Sequence, residues 1–314
     1  MLIGILSSEF IYESAPFPAC HASTICETRK GEFLAAWFGG TAESKPDVAI
    51  YTAHLRNGKW TTPKETAVGY DDQRHRLPCY NPVLFQPSNG PLLLFYKVGK
   101  GPQTWWGMMM TSKDHGETWS EPNKLPKGIF GPIKNKPIEL PDHTLICPSS
   151  SEDNGWMVHF EFTKDFGQTW TRTFPSYDGH PVQAIQPSIL RIDSKTLRAI
   201  CRTKGGFLFT TDSVDQGKTW SELQPTQVQN PNSGADAITL KDGRHLLVNN
   251  DSPNKRTPLV VSISTDGTVW TRVVTLEKEP GEYSYPSVIQ ASDGTVHIVY
   301  TWRRQRIKHV VLKL

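Results

Sequence analysis

One pattern returns along the chain at a nearly fixed interval, and it limits the folds open to the rest. Its first copy is Ser112-Lys113-Asp114-His115-Gly116-Glu117-Thr118-Trp119. It returns as Thr163-Lys164-Asp165-Phe166-Gly167-Gln168-Thr169-Trp170 and as Ser213-Val214-Asp215-Gln216-Gly217-Lys218-Thr219-Trp220. A fourth copy, Ser264-Thr265-Asp266-Gly267-Thr268-Val269-Trp270, is one residue shorter. The aspartates at 114, 165, 215 and 266 stand 51, 50 and 51 residues apart. A period of that size marks a repeat architecture. In the unit Ser/Thr-x-Asp-x-Gly-x-Thr-Trp, the Asp and Ser/Thr side chains cap backbone N–H groups of their own turn, and Gly takes a left-handed position. The Trp is expected to fold back into the sheet as a plug. The unit therefore reads as a hairpin turn that builds the fold and does not touch substrate.

Between the turns lies a second pattern: a polar start, an apolar strand, a turn and another apolar strand. Its six copies open at His21, Asn81, Lys136, Gln186, Gly234 and Tyr285. Short strands with Gly/Asp turns and no long helical period indicate an all-β chain. Four-stranded units repeated about a centre make a β-propeller. The expectation is one six-bladed β-propeller domain spanning residues 1–314. The first blade has a degenerate turn, Asn57-Gly58-Lys59-Trp60, and the last has none. The last blade holds Ile307 to Leu314 as its third strand, and the segment Leu2 to Leu6 is expected to close the ring as its fourth.

Composition narrows the partners. Net charge is +3 with no basic run, so nucleic acid is not an expected partner. No apolar run approaches a membrane span, so no membrane partner is expected. The segment Met1-Leu2-Ile3-Gly4-Ile5-Leu6 lacks a basic start and a cleavage site, which points to a cytoplasmic protein. Cys20, Cys26, Cys79, Cys147 and Cys201 form no CxxC pair and read as buried free thiols. No zinc spacing, phosphate-binding glycine loop or Gly-x-Ser-x-Gly is present, so neither cofactor nor metal is expected. The Asp71-Asp72 pair alone is too few ligands for Ca2+.

In a propeller, the starts of the first strands and the ends of the second strands share one face and converge on the axis. The starts offer His21, Asn81, Asn135, Lys136, Gln186, Ser233, Asp236, Tyr283 and Tyr285. The ends offer Trp37, Lys97, Ser149, Ser150, Glu152, Arg202, Asn250, Trp302 and Arg303. The set is polar and net basic, as a funnel for an anionic, hydroxyl-rich ligand would be. An acidic oligosaccharide or glycan is the partner it suggests. Trp105 and Trp106 stand in an adjacent loop where indoles can stack on a sugar ring. Arg74, His75 and Arg76 lie in a blade-two loop able to reach over the face.

The repeated turns resemble the Asp boxes of the sialidase (neuraminidase) superfamily, the BNR-repeat proteins. The resemblance covers nearly the whole chain. It implies a tyrosine nucleophile eight residues before the Asp of the last blade's turn; eight before Asp293 is Tyr285. It implies an Arg ten residues before Gly31, where this chain has His21. It implies a Glu that activates the Tyr, at the place of Gly234, and a second Arg near Asn250. The family's acid is an Asp in the loop after blade one's second strand, where this chain offers Glu43 and Asp47. The scaffold and the Tyr match, while two Arg positions and the Glu are replaced.

Three readings follow. The first is a sialidase-like glycosidase that removes a terminal sialic or uronic acid, with His21, Tyr285 and Glu43 catalytic. The second is a uronate-specific lyase or rhamnosidase-like enzyme, in which a His21/Tyr285 pair takes the C5 proton and protonates the leaving oxygen. The third is a non-catalytic glycan-binding propeller.

Overall fold

The computed structural model describes residues 3–179 and 182–314. Among these residues the regular structure is strand throughout, in six antiparallel sheets of four or more strands and one small hairpin. The sheets are the blades of a six-bladed β-propeller. Blade one begins with strands Ala19–Arg29 and Glu32–Gly40, blade two with Cys79–Phe85 and Leu92–Val98, blade three with Ile138–Glu139 and Leu145–Ser151, blade four with Ala184–Arg191 and Leu197–Thr203, and blade five with Asp236–Thr239 and His245–Asn250. In blade six the order runs from Tyr283–Gln290 through Val296–Trp302 and Arg306–Lys313 to the N-terminal strand Gly4–Phe10. Gly4 pairs with Lys313 and Phe10 with Lys308, so the chain's start supplies the last blade's outer strand. Leu2, at the start of the expected segment, lies outside the described residues. The observed strand runs on to Phe10 because its backbone bonds continue along Arg306–Lys313.

The core is divided among the seams between blades. Leu34 and Phe38 of blade one pack with Leu94 and Tyr96 of blade two, and Val248 and Leu259 of blade five pack with Ile298 and Tyr300 of blade six. All five cysteines are free and buried. Each box turn sits on the blade before it: the indole of Trp220 in blade four stacks on Phe160 of blade three at 3.7 Å and 12°.

The turn chemistry follows the sequence pattern. Asp114 Oδ1 accepts from Thr118 N at 2.9 Å and from the Ser112 hydroxyl at 2.7 Å, and Ser112 Oγ accepts from Gly116 N at 2.8 Å. The same bonds recur around Asp165 and Asp215, and in shortened form around Asp266. Gly116, Gly167, Gly217 and Gly267 have φ of 95°, 92°, 89° and 69°, which only glycine adopts without cost. The expected plug is complete in one blade only. Trp220 is buried, whereas Trp119, Trp170 and Trp270 are half-buried. The segment after Thr173 folds over Trp220, with Ser176 N donating to its carbonyl at 3.1 Å.

Candidate functional site

The axial face is made by a repeated irregularity of the inner strands. Ala22, Asn81, Gln186 and Tyr285 have φ of 56°, 41°, 54° and 54°, and the pairing register shifts beside each. A non-glycine residue in this region marks a β-bulge that re-aims its side chain. Three of the four precede a proline (Pro82, Pro187, Pro286), whose missing N–H leaves no ladder bond to break. The bulges turn Gln186 and Tyr285 toward each other across the axis.

Tyr285 is the centre. Its phenol oxygen accepts from Arg202 Nη1 at 2.6 Å and from Gln186 Nε2 at 3.3 Å. Arg202 Nη1 also donates to Gln186 Oε1 at 3.0 Å, and its Nε donates to Asn232 Oδ1 at 2.8 Å. Arg202, Arg256 and Lys134 lie 5.7, 5.7 and 5.9 Å from the Tyr285 ring centroid. The imidazole of His21 lies against the same ring, with centroids 4.1 Å apart, and meets Phe38 edge-on at 5.7 Å. Its Nδ1 is 3.0 Å from the Thr301 hydroxyl. Burial, then Arg304, Arg256, Arg202 and Lys134, hold His21 well below its ordinary 6.5, so the ring is uncharged at neutral pH.

A band of ion pairs borders this centre. Glu282 Oε1 accepts from Arg256 Nη1 at 2.7 Å, from Arg304 Nε at 2.8 Å and from the Ser284 hydroxyl at 3.1 Å. Arg304 Nη1 also donates to Glu43 Oε2. Against Arg202, Arg256, Arg304 and Lys134 stand the carboxylates of Glu282 and Glu43, so the cluster attracts an anion. On the other side, Trp156 lies beneath Arg202 at 5.2 Å and Lys204 at 4.4 Å. Glu152 neighbours both; burial raises its carboxyl above the ordinary range, and Arg202 opposes that.

Of the residues expected at the site, His21, Gln186, Arg202 and Tyr285 are brought into contact, and Glu43 joins through Arg304. Asn81 is buried at its bulge, with no side-chain partner among the described residues. Arg74 and Arg76 lie over Tyr70 at 5.6 and 5.7 Å in a side hairpin, and His75 pairs with Asp71 there. Arg303 is exposed and lies over Trp302 at 4.8 Å.

The remaining candidates serve the scaffold instead. Asp236 is fully buried and accepts from Lys136 Nζ at 2.7 Å, from the Ser188 hydroxyl and from Val288 N, which ties blades three to six together. Asn135 Nδ2 donates to the Gln186 and Pro187 carbonyls and so fixes that bulge. Lys97 is buried against the Pro132 carbonyl, and burial pushes it down to about 7 despite Glu161. Asn250 Nδ2 donates to the Tyr283 carbonyl, and Ser233 and Tyr283 are wholly buried. A strand end does point at the axis, but neighbouring bulges roof over several such positions. Trp105 is likewise buried against Tyr80 rather than open to a sugar, and Lys124 covers Trp106 at 4.2 Å.

Sequence reasoning missed Lys134, Arg256, Glu282 and Arg304. Three of them stand one residue from positions it chose: Lys134 beside Asn135, Glu282 beside Tyr283 and Arg304 beside Arg303. Lys134 occupies the place where the family resemblance sets a Glu: a Cβ on Gly234 would lie 2.6 Å from Lys134 Cε. Lys134 Nζ donates to Asn135 Oδ1, the Ala235 carbonyl and the Pro286 carbonyl at 2.8, 3.2 and 2.5 Å. It bolts the carbonyl just after Tyr285 in place. Arg304 stands in the turn between Val296–Trp302 and Arg306–Lys313, where its charge bears on His21, and Arg256 stands six residues beyond Asn250 (256 − 250).

The family model "BNR repeat-like domain" matches residues 31–298. No curated protein matches the chain. Among solved structures, a protein of unknown function from Dyadobacter fermentans DSM 18053 superposes with a TM-score of 0.82 at 19% identity, covering 99% of each chain. The intramolecular trans-sialidase from Ruminococcus gnavus gives 0.77 at 15% identity, over 98% of this chain and 97% of that one. The NanB sialidase from Streptococcus pneumoniae gives 0.79 at 14% identity, over 98% of this chain and 70% of that one. With the match spanning most of the chain and the six-bladed propeller it covers, the protein belongs to the BNR repeat-like domain family.

Proposed function

We propose that the axial face binds the carboxylate of a terminal acidic sugar, sialic or uronic, and that the protein is an exo-acting glycosidase with Tyr285 as nucleophile. The observation that carries this reading is Tyr285 itself: a phenol oxygen hydrogen-bonded to a guanidinium at 2.6 Å, ringed by further cations. The Tyr285 oxygen bonds to the anomeric carbon as the glycosidic bond breaks. The phenol proton is released to water as the bond forms, with the Arg202 guanidinium at 2.6 Å stabilising the phenolate and His21 packed against the ring. Glu43, exposed at the rim, protonates the leaving oxygen from its carboxylic acid form, released from Arg304, and recovers the proton from the water that later releases the sugar. Water then releases the sugar and returns Tyr285 to its phenol form. Arg202, Arg256 and Arg304 supply charge for the sugar carboxylate.

A second reading is kept because no carboxylate stands beside Tyr285 at Gly234. The same His21/Tyr285 pair above cations suits β-elimination from a uronic acid. The test is incubation with sialyl- and glucuronate-terminated oligosaccharides, followed by mass spectrometry. Products with one water added support hydrolysis, and an unsaturated, ultraviolet-absorbing product supports elimination. No product with either class would leave binding as the function and end the enzymatic reading. Given turnover, Tyr285→Phe should lower kcat by about 10³-fold or more.

A further inference from the structure

Away from the axis, a cleft of about 620 Å³ opens between blades four and five. Its wall includes Trp270, Asn249, Gln227, Thr210 and Ser262, together with Arg272. That volume falls within the range of small-ligand sites, roughly 300–1,000 Å³. We propose that this cleft is a second saccharide site, for an uncharged sugar, independent of the axial face and of the activity proposed for it.

Hydrogen-bonding capacity left unused inside the cleft carries the inference. Asn249 is 1% exposed. Its Nδ2 donates to the Gln229 and Asn250 carbonyls at 3.0 and 3.2 Å, while its Oδ1 has no partner. A buried acceptor without a donor is costly; this one lies beneath the cleft wall, so a turn of the Asn249 side chain would be needed to bring it to a ligand hydroxyl. Trp270 contributes the matching donor. The indoles of Trp170 and Trp220 give their N–H to the glycine carbonyl of their own box at 2.9 and 3.0 Å. Trp270, like Trp119, has no such acceptor among the described residues. The side chains of Thr210, Gln227 and Ser262 likewise have no partner among the described residues. An indole face with free amides and hydroxyls around it suits a pyranose, whose C–H face packs on the ring while its hydroxyls bond outward.

Charge separates this site from the axial one. Arg272 is paired with Asp251 at 3.4 Å, and Arg198 is held by both oxygens of Asp212 at 2.7 Å. Each cation of the wall has its own carboxylate, so nothing here favours a sugar carboxylate or a phosphate over a neutral ring.

The test is saturation-transfer NMR and tryptophan fluorescence titration of the whole protein with lactose, cellobiose and maltose. At least one of the three should bind and perturb tryptophan emission. Trp270→Ala should weaken that binding by about 10-fold or more. Gln227→Ala, an exposed change that the fold tolerates, should weaken it several-fold and decides the matter if Trp270→Ala fails to fold. Tyr285→Phe should leave it unchanged. Absence of transfer to all three sugars, unchanged binding in Gln227→Ala, or loss of binding in Tyr285→Phe would each overturn the proposal.

Discussion

At the scale of single residues, the site turns on which side chain fills a given volume. Gly234 has no Cβ, and Lys134 uses that space to reach the carbonyls of Ala235 and Pro286. Burial lowers Lys134 to about 7, while three oxygen acceptors match the three N–H bonds of its charged form. A methyl at 234 would meet a side chain that three hydrogen bonds prevent from yielding. Gly234→Ala should therefore destabilise the protein by about 1–3 kcal/mol in chemical denaturation, as overpacked cores do. An unchanged midpoint would mean that Lys134 is free to move. Of this arrangement the sequence shows only an absence, the glycine where the resemblance sets a Glu. Nothing local ties Lys134 to a position 100 residues later in the chain (234 − 134).

At the scale of elements, the capping of the box turns by their own Asp and Ser/Thr was legible, because every partner lies within a few residues. What lies above each turn was not legible. Trp220 is covered by Phe160 and by the segment after Thr173; Trp170 meets Phe95 edge-on and stays half-exposed. Trp220→Ala should cost roughly 3–5 kcal/mol and Trp170→Ala clearly less, judged by thermal or denaturant unfolding. Equal losses would contradict this account of the packing.

The ring-closing blade carries a second elementary device. His297 Nδ1 lies 3.0 Å from His309 Nε2, its other nitrogen 3.1 Å from the Thr295 hydroxyl, and its ring is stacked on Phe33 of blade one at 4.0 Å. Burial, then the charge of His309, lowers His297 from 6.5 to about 4, against the opposing charges of Asp293 and Glu27. The folded value lies below the unfolded one, so the unfolded chain binds the proton first. Stability is complete above about 6.5 and is lost as pH falls toward about 4. The loss from this group should be about 3 kcal/mol. His297→Gln should flatten the fall in melting temperature between those limits; an unchanged slope would assign the acid sensitivity to other groups, His21 among them.

At the scale of the whole molecule, net charge is only +3, yet cations gather at one end of the axis. If that focus draws an acidic substrate, raising salt should increase KM for acidic oligosaccharides several-fold and leave kcat little changed, because added ions screen the approach. A KM indifferent to salt would mean that local contacts, not the field, hold the substrate. By itself the chain's text determined the number of blades, the chemistry of their turns and the strand start at which Tyr285 stands, because strand period and turn capping are set by neighbours in sequence. Only the tertiary structure decided that Lys97, Asn135 and Asp236 would be used up inside the fold. It also decided that the charge of Arg304 would bear on His21 from another blade, and that Lys134 would fill the space at Gly234. Those outcomes depend on how six sheets meet around one axis, and the seams join residues that are close in space and distant along the chain.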